Sequence, residues 1–113
     1  MIRKLAVATL ILSALTFVVG CASWYAAKEE SHAAAAVEHT EQAIEHGKLG
    51  HANVLVEHAE QALSHAELAQ KEHASSHLKE AIMHLKAAIA DGKKGHAAGG
   101  TAHAKEALTH LKM

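Results

Sequence analysis

Proline is absent from this chain of 113 residues, and cysteine, tryptophan, tyrosine and phenylalanine each occur once. Without proline, no residue forces a break in a helix, and the abundant alanine favours helix. A single cysteine excludes both an intramolecular disulfide and a cluster of thiolate metal ligands. Because large apolar side chains are few, the core must be thin. Small domains of this kind usually need metal, oligomerisation or cross-links for stability.

The motifs of several catalytic and cofactor sites are also missing. The chain has no Cys-x-x-Cys-His for covalent haem, no His-Glu-x-x-His, no nucleophile elbow and no glycine-rich phosphate loop. A di-iron carboxylate bundle needs paired Glu-x-x-His motifs, and only Glu29-x-x-His32 matches. A formal net charge of −1 at pH 7 argues against nucleic acid as a partner. We therefore expect a protein that is not an enzyme and does not bind nucleic acid.

Residues 1–20 are typical of a bacterial export signal. Arg3 and Lys4 supply the positive start, and an apolar run follows over residues 5–19. This run is short for a membrane span and has the length of a signal-peptide core. The segment is therefore predicted to be a signal peptide that is removed from the mature protein.

The apolar run ends in the sequence Val-Val-Gly-Cys, which closes on Cys21. This ending resembles the lipobox of bacterial lipoproteins, in which the cysteine is acylated and becomes the mature N-terminus. We therefore expect a lipid on Cys21, a tether over residues 21–30, and a periplasmic domain anchored to a bacterial membrane. The alternative is ordinary signal cleavage at the small residues Gly20-Cys21-Ala22, which would leave a soluble domain.

An apolar face recurs through residues 31–113 with a seven-residue period. In the first segment Val37 and Ile44 fall at heptad position a, Thr40 falls at d, and alanines occupy g. Three further segments repeat this arrangement, which is typical of amphipathic helices. The pattern predicts an all-α fold, an antiparallel up-down four-helix bundle built from a His-containing heptad repeat.

The helix ends are predicted from capping residues and from the repeat spacing. Ser31 is the expected N-cap of the first helix, and Ser75 or Ser76 that of the third. Gly47 and Gly92 are the expected stops of the first and third helices. Matching positions of the four repeats are separated by 19, 19 and then 26 residues. The extra heptad is predicted to lengthen the third helix by two turns.

Ten of the twelve histidines lie in two mirror-related sets, each around a Gly-Lys-x-Gly turn. Folding the chain at each turn as an antiparallel hairpin brings paired histidines to the same level. Imidazoles placed in such layers predict metal binding between helices. The pairs are His46 with His51, His39 with His58 and His32 with His65 in the first hairpin, and His84 with His103 and His77 with His110 in the second.

Two histidines seven residues apart on one helix lie about 10.5 Å apart along its axis. Two imidazoles on one metal ion need nitrogens only about 3 Å apart. Either the facing helix supplies the second imidazole, or an intervening carboxylate such as Glu80 or Glu106 fills the gap. His73 and His77, four residues apart, are expected to chelate directly. The candidate metal ligands are His32, His39, His46, His51, His58, His65, His73, His77, Glu80, His84, His96, His103, Glu106 and His110.

Imidazole with some carboxylate suits Cu(II), Ni(II) and Zn(II), and the Irving–Williams order makes Cu(II) the tightest. We therefore expect divalent metal ions as partners, with Cu(II) first and Ni(II) or Zn(II) as alternatives. No sequence feature identifies a protein partner. The alternative function is a membrane-anchored amphipathic structural or interaction protein, whose histidines form a pH-responsive surface. Metal titration separates the two.

The repeat VEHxEQAxxH, the GKxGH turns and the periodic histidines resemble the bacterial small metal-binding protein family. The likeness spans about residues 31–112. It implies a periplasmic, His-rich four-helix protein that binds several divalent metals, copper prominent among them. Two departures stand out. The lipobox predicts a tethered form where the family is soluble, and the loop between the second and third helices is predicted to be shorter, with a longer third helix.

Overall fold

The computed structural model describes residues 30–113, which form four helices joined by loops of three residues. Each helix packs against the next, and the fourth returns against the first. This arrangement confirms the predicted all-α four-helix bundle. In chain order the helices are α1 (His32–Lys48), α2 (Ala52–Glu72), α3 (Ser76–Lys93) and α4 (Ala97–Leu111).

The predicted signal peptide, Cys21 and all but the last residue of the predicted tether lie outside the described residues. Within residues 30–113, none of the helices combines the length and the apolar character that a membrane crossing needs.

Two serines begin helices as predicted. The Ser31 hydroxyl accepts a hydrogen bond from the Ala34 backbone N–H at 3.2 Å, which caps α1. The Ser75 hydroxyl accepts one from the Leu78 N–H at 3.0 Å, so the cap of α3 is Ser75 and not Ser76. Each bond satisfies one of the N–H groups that lack a partner within the helix.

The predicted helix stops at Gly47 and Gly92 are wrong. Both glycines lie inside their helices, one residue before the last helical position. The chain instead reverses at Gly50 and Gly95, whose φ angles are +78° and +77°. Because only glycine adopts this left-handed region without strain, the turn depends on the second glycine of each Gly-Lys-x-Gly sequence.

Gly47 and Gly92 serve a different purpose, the close approach of neighbouring helices. A Cβ atom on Gly47 would collide with the Thr101 hydroxyl and would lie 2.6 Å from Leu55 Cδ1. A Cβ atom on Gly92 would lie 2.5 Å from Val56 Cγ2. The missing side chains therefore let each hairpin end pack tightly against the other hairpin.

The core is as thin as the composition predicts. Heptad positions d and g are the most deeply buried, and most of them are alanine. Within residues 30–113, the largest side chains that are fully buried are Leu55, Leu85 and Thr40. The Thr40 hydroxyl donates to the Ala36 carbonyl at 2.7 Å, which satisfies the one strongly polar group among them. Most of the buried side chains are therefore alanine, and Leu55 and Leu85 are the large apolar side chains that are fully buried among them.

The prediction of a longer third helix is wrong. Helix α2 is the longest at 21 residues, and α3 has 18. The repeating unit is a whole hairpin, since residues 32–65 are matched by residues 77–110 at an offset of 45. The residues between the two copies extend α2 and form the next loop. The extra heptad therefore lengthens α2, the helix that precedes the loop between the two hairpins.

The four seams between adjacent helices alternate in chemistry. Lys86 pairs with Glu67 at 3.7 Å, and Lys93 with Glu60 at 3.0 Å, both across the α2–α3 seam. Lys112 joins Glu41 at 2.6 Å across the α1–α4 seam. The α1–α2 and α3–α4 seams carry the histidines instead. Each hairpin therefore holds imidazoles along its own seam, and charged pairs join it to the other hairpin.

Candidate metal centre

Six imidazoles form one continuous stack along the α1–α2 seam, which we term the first histidine column. Neighbouring ring centroids lie 5.4 to 6.0 Å apart. Rings from the two helices alternate, so each inner ring touches two rings of the opposite helix. The three mirror pairs therefore come together as predicted, but they are linked and not isolated. The order along the column is His32, His65, His39, His58, His46 and His51.

The nitrogens within this column are close enough to share an ion. The Nδ1 atoms of His32 and His65 are 3.2 Å apart, and those of His46 and His51 are 3.5 Å apart. Two nitrogens on one metal ion, each at about 2 Å, lie about 3 Å from each other. Small side-chain rotations would bring both pairs to that separation.

Two nitrogens in the middle of the column are buried without a hydrogen-bond partner, Nδ1 of His39 and Nδ1 of His58. An unpaired buried polar atom costs about 1–3 kcal/mol, and an ion or a water molecule at the site removes that cost. Neutral imidazole nitrogen is a strong ligand for divalent transition metals. The donor set of the column therefore fits a metal ion.

A carboxylate lies at one end of the first column. Glu72 Oε1 is 3.7 Å from Nε2 of His32, while Nδ1 of the same ring faces His65. A carboxylate on the far nitrogen orients an imidazole and raises its basicity as a ligand. Glu72 is thus placed to support His32, and the sequence pattern did not single it out.

A second histidine column follows the α3–α4 seam, with neighbouring ring centroids 5.7 to 5.8 Å apart. It has four rings, in the order His77, His110, His84 and His103. Asp91 continues the column, with Oδ2 at 3.7 Å from Nε2 of His103.

Asp91 occupies the position of His46 in the repeat, and the sequence reasoning missed it. It lies seven residues after His84 and mirrors His96 across the turn. A search for any ligating side chain in the mirror positions would have found it, because carboxylates as well as imidazoles bind divalent metals.

Glu80, His84 and His110 each offer a donor atom, and these atoms all lie within 4.8 Å of one another. No other group of three potential ligands this close occurs within residues 30–113. Nδ1 of His110 is buried and unpaired. The site combines the two predicted ligand arrangements. Glu80 and His84 come from the same helix, α3, and His110 comes from the facing helix, α4.

Three of the candidate ligands lie elsewhere. His73 follows the end of α2 and His77 lies in the first turn of α3, so the two residues do not share one helix as the predicted spacing assumed. His96 is exposed at the second turn. Glu106 is exposed and lines an open groove beside Lys48, apart from the three-ligand cluster.

The sequence model of one protein family, described as small metal-binding protein, matches residues 4–113. The match includes the whole bundle and both histidine columns. No curated protein matches this chain in sequence.

Proposed function

The chain belongs to the small metal-binding protein family, and we propose that it sequesters or buffers divalent transition-metal ions, chiefly Cu(II), outside the cytoplasm. The observation that carries this proposal is the first histidine column, in which facing Nδ1 atoms approach to 3.2 Å. The metal is cargo in this proposal, and the protein acts as a carrier and not as an enzyme.

Copper is favoured by the nature of the donors. The first column offers pairs of imidazole nitrogens, and the Irving–Williams order places Cu(II) above Ni(II) and Zn(II) at such sites. The columns lie along seams and not in a closed core, and their rings are partly buried or exposed to solvent. Water can therefore complete the coordination of each ion. Several open sites suit reversible buffering better than a permanent structural role.

Calorimetric titration with Cu(II) tests the proposal. Saturable binding with micromolar or tighter affinity is expected. If the metal changes neither the helix content nor the stability of the protein, the histidines form a pH-responsive surface on a structural or interaction protein instead.

A double-mutant cycle on His39 and His58 tests whether facing histidines share an ion. The ring centroids of His39 and His58 are 6.0 Å apart, although the two residues are 19 positions apart in sequence. Either single change to Ala should weaken Cu(II) binding at this level by at least about tenfold. Residues that share one ligand are coupled, so the double variant should lose little more than either single variant.

His73→Ala is the control for the cycle, because His73 is exposed and belongs to neither column. It should leave the affinity unchanged. Strictly additive losses at His39 and His58 would assign them to separate sites and would contradict the shared-ion arrangement.

We propose further that the mature protein is a periplasmic lipoprotein acylated on Cys21. The lipobox-like sequence and the single cysteine support this location. Intact-mass measurement after expression in a bacterial host should give a chain that begins at Cys21 with added lipid mass. Cys21→Ala should abolish that mass. A wild-type chain that begins beyond this residue without lipid would contradict the proposal.

A further inference from the structure

We infer that Glu80, His84 and His110 form a Zn(II) site, different in ligand class from the histidine pairs of the first column. The inference rests on the proposed function, because it assigns one metal site within a protein proposed to bind divalent ions. It adds a second type of site, in which a carboxylate completes the ligand set.

The geometry supplies three ligands from two helices. Glu80 lies four residues before His84 on α3, so the two side chains project from adjacent turns of one face. His110 reaches the same point from α4, and its ring centroid lies 5.7 Å from that of His84. With all three donor atoms within 4.8 Å of one another, modest rotations bring them onto one ion.

The ligand set matches the chemistry of zinc. Two imidazoles and one glutamate, with a water molecule in the fourth position, form a well-known tetrahedral arrangement for Zn(II). The carboxylate also neutralises part of the charge of the ion, which a pair of neutral imidazoles does not do. In the first column, the Glu72 carboxylate lies on Nε2 of His32, away from the facing Nδ1 atoms of His32 and His65. We therefore expect the first equivalent of Zn(II) to occupy the Glu80 site.

The first hairpin contains a natural counterpart of this site that lacks the carboxylate. At the offset of 45 residues, Glu80, His84 and His110 correspond to Ala35, His39 and His65. The two histidine pairs have similar ring spacing and ring orientation. His39 and His65 have centroids 5.6 Å apart and planes at 8°, against 5.7 Å and 11° for His84 and His110. Glu80 is one difference between the two positions. Another is that Nδ1 of His65 faces Nδ1 of His32 at 3.2 Å, whereas Nδ1 of His110 is buried and unpaired.

Calorimetric titration of the intact protein with Zn(II) tests the inference. The wild type should show one tight equivalent followed by weaker binding. Glu80→Gln preserves the shape of the side chain and removes its charge, and it should weaken that equivalent by at least about tenfold. Glu106→Gln is the matched control, because Glu106 also precedes a column histidine by four residues but lies outside the cluster. It should bind Zn(II) as the wild type does.

The converse experiment transplants the carboxylate. Ala35→Glu should add a second tight Zn(II) equivalent, formed with His39 and His65. Unchanged Zn(II) affinity in Glu80→Gln would overturn the inference.

Cu(II) titration of the same proteins separates this inference from the proposed function. Glu80→Gln should keep the Cu(II) binding of the first column. If the wild type binds neither metal, the proposed function fails and this inference with it. If it binds Cu(II) but has no Zn(II) equivalent that depends on Glu80, only this inference fails.

Discussion

Cu(II) at about one hundred times its dissociation constant should raise the melting temperature by about 10–20 °C for each ion bound. A ligand that binds only the folded state contributes about 2.7 kcal/mol at that excess. In a domain of this size, each kcal/mol shifts the melting temperature by about 4–8 °C. The sites exist only when α1 and α2, or α3 and α4, lie side by side, so the unfolded chain offers far weaker binding. Thermal melting followed by circular dichroism measures the shift.

The size of the shift should depend on the first column and on pH. Changing His32, His39 and His46 together to Gln leaves the histidines of α2 without partners, and should remove the part of the shift that this column contributes. Protons compete with metal for the same nitrogens, so the shift present at about pH 7.5 should largely disappear at about pH 5. A melting temperature that does not change when Cu(II) is added at about pH 7.5 would refute metal-linked stability.

Leu85→Ala should lower the free energy of unfolding of the metal-free protein by about 2–5 kcal/mol. Leu85 is fully buried in a cluster whose other buried members are four alanines, and Leu63, Ile82 and Leu111 pack against this cluster. The alanine side chains are too short to fill the space, so only the three larger neighbours can reduce the cavity. Because small domains have only about 5–15 kcal/mol of stability, this loss should leave the variant close to unfolding. Urea denaturation measures it.

Met83→Ala is the control for this prediction. Met83 lies on the same helix with 55% of its surface exposed, so the change should alter stability by no more than about 0.5 kcal/mol. Cu(II) should restore folding of the Leu85 variant, because its histidines remain intact. A loss below about 1 kcal/mol at Leu85 would mean that the core does not depend on its few leucines.

The fold and the pairing of histidines were predictable because both follow from local periodicity. The heptad of Val37 and Ile44 marks the buried face, and the spacing of His39 and His58 around a short turn fixes their shared level. A three-residue loop between antiparallel helices places the mirror positions at about the same level along the hairpin. The three mirror pairs of the first hairpin follow from these two constraints.

Other features depend on contacts that no local pattern contains. Gly47 was predicted to stop its helix because glycine commonly ends helices. Its role is instead to leave room for Thr101, which approaches from a helix distant in sequence. The pairing of His73 with His77 assumed one helix, and the Ser75 cap divides it. The link from His39 to both His58 and His65 depends on the stagger between two helices, which the turn length alone does not determine.

The same type of glycine contact between the hairpins occurs twice in the bundle. Gly47 faces Thr101, and Gly92 faces Val56, which is the counterpart of Thr101 at the offset of 45 residues. The two halves therefore meet as identical subunits meet in a symmetric dimer, each offering the same patch to the other. In a true dimer, every substitution appears in both halves at once. Joining the halves in one chain removes that constraint, so one half can carry Asp91 while the other keeps His46 at the same place in the symmetry.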